Sequence, residues 1–347
     1  MLDISSGFVS SYYGITSKLL GGYISSQYLL PASLIIAMLI FAISLIIIAG
    51  IFAYLFGWVE RKFMARMQSR HGPTYVGKFG ILQNLADLLK LISKENIIPS
   101  NSDRPLFGLS IPLMVSAFII MLFFIPLTSS YVGVNTGIGL IVVFMVLSFI
   151  PLLVFLAGWT SGNKFASIGA ERSVVMLISY EIPFILVIAA VAMLANSYSL
   201  TGIVSAQSHY WFAILMPIGL LVFFIIMLAE MERPPFDLRE ADSELIAGWL
   251  TDVSAPYYAL VLFLDYVRLF VGSLLIATLF FGGYMGPSFL PPLAWTLIKV
   301  VLISLFIVVI RSTTVRMRID RVLRLGWAYL TPLAVVNLLL TFVLFVH

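Results

Sequence analysis

Eight stretches of at least roughly 20 mostly apolar residues, none carrying more than two charged side chains, organise this 347-residue sequence. A bilayer core of about 30 Å takes about 20 residues of helix to cross, because lipid offers backbone N–H and C=O groups no partner outside the helix itself. The stretches fall at 33–57, 106–128, 138–158, 173–195, 210–231, 257–283, 291–311 and 326–346. The chain is therefore expected to be an all-α integral membrane protein, a single membrane domain over 1–347 with eight transmembrane helices. Only 10% of its residues are charged and 61% are hydrophobic, whereas a water-facing globular surface needs roughly a quarter charged. The first 32 residues contain Lys18 but no apolar core followed by a small-residue cleavage pattern, so no removable leader is expected.

The connecting segments alternate in character. Segments 58–105, 159–172, 232–256 and 312–325 are charged, while 129–137, 196–209 and 284–290 carry no Lys or Arg. Counting Arg311 with its neighbouring loop, the charged segments hold 17 of the 20 basic residues. The positive-inside rule makes that face cytoplasmic, and an even number of spans then puts both termini on the outer side. The net charge of +4 is thereby assigned to membrane topology rather than to nucleic-acid binding. Within the first cytoplasmic loop, Ile81, Leu82, Leu85, Leu88, Leu89 and Ile92 follow helical spacing over 81–93. This amphipathic helix is too short to span, so it is expected to lie in the interface with Asp87 and Lys90 on or beside its polar face.

The chemistry rests on a few ionisable residues. No cysteine is present, and His71, His209 and His347 are scattered, so no metal site and no redox centre of the chain's own is expected. An ionisable side chain at membrane depth costs about 2.5–3.5 kcal/mol on insertion scales and calls for a partner or a function. Glu181 and Asp265 each lie eight residues past the cytoplasmic start of their spans, a depth of about 12 Å, so the two could face each other across one bundle. Asp265 has Arg268 three residues on, close enough for a structural ion pair, whereas Glu181 has only Leu177, Ile178, Phe184 and Ile185 at helical neighbour positions. The third cytoplasmic loop, 232–256, carries Glu232, Asp237, Glu240, Asp242, Glu244 and Asp252 against Arg233 and Arg239, and Glu230 ends the span before it. Such a run of carboxylates suits a proton or cation route; it also suits a solvated surface.

Four segments resemble one family. ERKFMARMQSRHGPTYVGKFGILQNLADLLKLISKENIIP at 60–99, GWTSGNKFASIGAERSVVMLISYE at 158–181, AEMERPPFDLREADSELIAGWLTD at 229–252 and RMRIDRVLRLGW at 316–327 are similar, in order, to the cytoplasmic loops of one membrane-subunit family of complex I (NADH-quinone oxidoreductase), the one that forms the quinone site. The resemblance covers nearly everything beyond the first 30 residues. It implies a quinone-site, proton-coupling subunit in a cell membrane or equivalent energy-transducing membrane, with quinone as substrate and no covalently bound cofactor. The implied partners are soluble Fe–S subunits docked on the cytoplasmic loops, small membrane subunits, antiporter-like membrane subunits and lipid. Matching positions put Arg61, Arg70, Asp87 and Lys90 along a quinone path between the first span, the interfacial helix and the sixth span. They put Glu181, Glu230, Glu244, Asp252 and Asp265 among the proton-relay acids. The sequence departs from the pattern at Glu171, Glu232 and Val315, at Asp242, Asp252 and Asp265, where Glu is usual, and at Arg321. Three other readings are weighed: the homologous subunit of an energy-converting membrane-bound hydrogenase, a stand-alone ion-coupled transporter built on Glu181 and Asp265, and a purely structural anchor, against which the membrane acid Glu181 argues.

Overall fold

A computed structural model of the protein describes residues 26–240 and 242–345. Most of the N-terminal segment read above for a leader, and residues 346 and 347, lie outside the described residues. Thirteen α-helices and no strand occur among the described residues: α1 Ser26–Met67, α2 Gln83–Ile92, α3 Arg104–Phe124, α4 Gly139–Thr160, α5 Lys164–Ala195, α6 Leu200–Ala206, α7 Phe212–Leu215, α8 Pro217–Glu230, α9 Asp242–Leu245, α10 Ala255–Phe280, α11 Pro292–Thr313, α12 Ile319–Arg324 and α13 Thr331–Phe345. A π-helical turn, Leu325–Leu330, joins α12 to α13.

Among the described residues, seven helices are long and apolar enough to cross a membrane, the α12–α13 pair counting as one. The remaining expected span, the fifth at 210–231, is divided. Pro217 lacks an N–H and forces the preceding residue out of helical conformation, so Met216 sits at φ −132°, ψ 67° between α7 and α8. The 14-residue α8 that remains is about 21 Å long, short of a full bilayer core. The helices also reach further into the charged segments than hydropathy marks. α1 continues ten residues past 57, which puts Glu60 and Arg61 on a helix rather than in a loop.

α10 sits at the centre and is the most buried span, packed against α1, α3 and α11. α5 forms the second centre, with α4, α8 and α13 around it. Prolines occur inside α3, α4 and α5, and Ser173 Oγ on α5 ties that helix to α4 by donating to the Pro151 carbonyl at 2.7 Å.

The amphipathic segment forms α2, laid across the C-terminal end of α1 by three hydrogen bonds. Tyr54 Oη donates to the Ile81 carbonyl (2.8 Å), Trp58 Nε1 to the Phe79 carbonyl (3.0 Å), and Asn84 Nδ2 to the Tyr54 carbonyl (2.9 Å). Gly57 makes room for that approach, since a Cβ there would meet Asn84 Nδ2 at 2.6 Å. Leu85, Leu88, Leu89 and Ile92 remain exposed on α2, an apolar face that water disfavours and a lipid interface accepts.

Candidate functional site

Two sites emerge around α10, one on each side of Tyr266. The first is a cavity of about 270 Å³ walled by α1, α2 and α10. Its floor is apolar, with Leu88, Leu91 and Phe263, and its polar end is the Arg61–Asp87 pair. Arg61 Nη1 donates to Asp87 Oδ2 at 2.6 Å and Gln83 Nε2 to Asp87 Oδ1 at 2.9 Å. Partial burial pushes the Asp87 carboxyl up, but those two hydrogen bonds and the charges of Arg61 and Lys90 outweigh it and hold the group below the usual range. Of the other path residues, Lys90 is exposed on α2, and exposed Arg70 donates to Gln68 Oε1 at 2.7 Å without lining the cavity.

A larger groove of about 740 Å³ runs between α8 and α11. It is less suited to a polar headgroup, because its lining is apolar except for Lys299. The Lys299 ammonium already donates to the carbonyls of Phe281, Gly283 and Met285 at 2.7, 2.8 and 2.6 Å, which uses its three protons.

The second site is a buried charge cluster where α1, α8, α10, α11 and the acidic loop meet. Glu60 is 2% exposed and accepts from Arg233 Nη1 at 2.7 Å and from Arg311. Arg233 also donates to the Asp265 carbonyl at 3.3 Å and lies 5.5 Å from the centre of the Tyr266 ring, whose edge lines the cavity. Glu232 accepts from both Arg239 and Arg268. Tyr180 Oη donates to Glu230 Oε2 at 2.5 Å, both residues being buried. Asp265 lies within the fields of Arg268, Arg233, Glu232 and Arg311. Glu240 is pushed up to about 8, first by burial and then by the charges of Asp265, Asp237 and Glu232. The loop closes through Gly248 (φ +54°), where a Cβ would stand 1.8 Å from the Arg239 carbonyl oxygen.

The structure thus brings Glu230 and Asp265 into one cluster and leaves three of the sequence-derived acids outside it. Glu181, half-buried on α5, accepts from Ser148 Oγ of α4 at 2.7 Å; its other oxygen has no hydrogen-bond partner among the described residues. Exposed Glu244 is held below the usual carboxylate range by its hydrogen bond from Arg172 at 2.7 Å. Asp252 is half-buried in the turn before α10 and accepts no hydrogen bond among the described residues. Arg268 goes to Glu232 rather than to Asp265 three residues before it. Glu60, Tyr180, Arg233, Glu232 and Glu240 complete the cluster. Arg233, Glu232 and Glu240 belong to the acidic loop already read from the sequence, Glu60 stands just past the first apolar stretch, and nothing in the sequence marked Tyr180.

Comparison with known proteins decides the family. The sequence profile of the NADH dehydrogenase family matches residues 38–342. The chain belongs to this family. As a membrane subunit of that kind, it is 41% identical over 288 residues to the H subunit of the NADH-quinone oxidoreductase of Dehalococcoides mccartyi, covering 83% of this chain and 81% of the relative. It is 36% identical over 335 residues to the same component in Carboxydothermus hydrogenoformans, covering 94% of each. It is also 36% identical over 315 residues to the H subunit of the F(420)H(2) dehydrogenase of Methanosarcina acetivorans, covering 85% of this chain and 90% of the relative. Among solved structures it is similar to a chain of the membrane-bound sulfane sulfur reductase, an archaeal respiratory membrane complex. That match has a TM-score of 0.77 and 28% identity and covers 88% of this chain and 99% of that one.

Proposed function

We propose that this subunit forms much of the quinone chamber of a complex I-like respiratory oxidoreductase and couples quinone reduction to proton translocation. The observation that carries the reading is the shared wall. Tyr266 lines the cavity that holds Arg61 and Asp87, and its ring lies under Arg233, which is bonded to Glu60 and to the Asp265 carbonyl. In this reading Arg61 and Asp87 set the polarity at the quinone's oxygens, Arg70 and Lys90 flank the approach, and a change of charge in the cavity is felt one side chain away in the acid cluster. Glu230 and Asp265 relay protons within the cluster. Glu181, Glu244 and Asp252 serve on its outer reaches, Glu181 toward neighbouring membrane subunits.

The electrons come from soluble Fe–S subunits docked on the cytoplasmic loops, and small and antiporter-like membrane subunits continue the membrane arm in a lipid bilayer. The concentration of 17 of the 20 basic residues in four loops supports a cytoplasmic face there and both termini outside, in a cell membrane or an equivalent energy-transducing one. Asp87→Asn tests the reading. It should lower quinone reduction severalfold while electron transfer to a soluble acceptor upstream survives. Equal loss of both would mean failed assembly, and full quinone reduction would remove Asp87 from the site. A second reading, coupling to an acceptor other than quinone, draws on the likeness to the sulfane sulfur reductase chain; an intact wild-type complex that reduces no added quinone would favour it.

A further inference from the structure

Glu232 is a buried carboxylate that the relay above does not use. It follows Glu230 and Met231 at the end of α8, and its backbone is left-handed at φ +56°. Glycine is the residue that adopts this conformation without strain at a helix end, so a glutamate there is kept for its side chain. That side chain turns inward, 7% exposed, and accepts from two arginines on different elements, Arg239 of the acidic loop and Arg268 of α10, which are 1% and 2% exposed. Two buried guanidiniums against one carboxylate leave an excess positive charge. Nε and Nη2 of both arginines have no partner among the described residues. The groups that feel this triad surround it: Glu230 of α8 with Tyr180 of α5, Glu240 and Asp237 of the loop, and Asp265 of α10.

We infer that Glu232 is a positioning residue of the proton route: by clamping Arg239 and Arg268 to one carboxylate it ties the acidic loop to α10 and sets the field in which Glu230, Glu240 and Asp265 exchange protons. The inference rests on the proton-coupling reading above. The expected sign follows from charge. Glu232 raises the proton affinity of Glu240 and Arg268 lowers it, so removing one or the other moves that group in opposite directions.

The test uses the purified complex, with reduced methyl viologen as donor and a short-chain quinone as acceptor, and follows quinone reduction and proton uptake from pH 6 to 9. In Glu232→Gln the alkaline limb should move down by about one pH unit, a tenfold loss of proton affinity, the size expected for one nearby charge. In Arg268→Gln it should move up. The double variant should return to within a few tenths of a unit of wild type, as should Glu232→Asp, which keeps the charge. Should Glu232→Gln fail to assemble, Arg268→Gln against the double variant carries the same comparison. A limb unmoved in Arg268→Gln, or moved the same way in both single variants, overturns the inference. A wild-type complex that reduces no quinone or takes up no protons overturns instead the reading on which it rests.

Discussion

The Glu60 knot gives the most quantitative prediction. Glu60→Gln keeps the size and an acceptor oxygen but removes the charge that holds Arg233 (7% exposed) and Arg311 (30% exposed). Removing one partner of a buried ion pair costs about 3–5 kcal/mol, because the remaining charge stays desolvated and unpaired. Gln still accepts one hydrogen bond, so the lower figure of about 3 kcal/mol applies, somewhat over a hundredfold in a local opening equilibrium. The loss should fall on the segment that Arg233 anchors, since the amides of 231–240 are held there rather than in a regular helix. Native-state hydrogen exchange of the assembled complex, in the regime where opening is at equilibrium, should show these amides exchanging about a hundredfold faster. Exchange in α5 should be unchanged. Arg311→Gln serves as the internal scale: its guanidinium is close to a third exposed and solvent-screened, so its removal should speed exchange only a fewfold. Exchange in Glu60→Gln within threefold of wild type, or equal effects of the two variants, would refute the argument that burial sets the size of these contributions.

Two further predictions concern the relay and the topology. Glu181→Gln should assemble, because Gln can still accept from Ser148 Oγ, but should translocate fewer protons per electron; a normal ratio at a normal rate in reconstituted vesicles would reduce Glu181 to a hydrogen-bonding residue between α4 and α5. Single cysteines at Ser69, on a charged loop, and at Ser208, on an uncharged one, should react with membrane-impermeant reagents from opposite sides of the membrane. Labelling of both from one side would reject the topology.

The helical architecture was legible in the sequence because crossing a bilayer is a local demand: each span must satisfy its own backbone, so apolar length alone marks it. The period of Ile81 to Ile92 marked α2, because an apolar face at helical spacing is likewise a property of the local sequence. The limits of that reading are equally physical. Hydropathy counts apolar residues and does not see that Pro217 breaks the fifth span into α7 and α8, nor that α1 carries Glu60 beyond the apolar stretch.

Which charges meet depends on how helices rotate and pack, and that was decided only in the tertiary structure. Arg268 is near Asp265 along the chain yet turns to Glu232, 36 residues away, and Glu60 finds Arg233 and Arg311 at separations of 173 and 251 residues. Glu181 and Asp265, at matched depth in their spans, belong to different surroundings, one against Ser148 of α4 and one among four arginine and carboxylate charges. Depth along a span is a property of the sequence, whereas a side chain's azimuth relative to its neighbours is fixed by the whole bundle. A buried charge finds its partner through that azimuth, because only a group facing it across a low-dielectric gap offsets its desolvation.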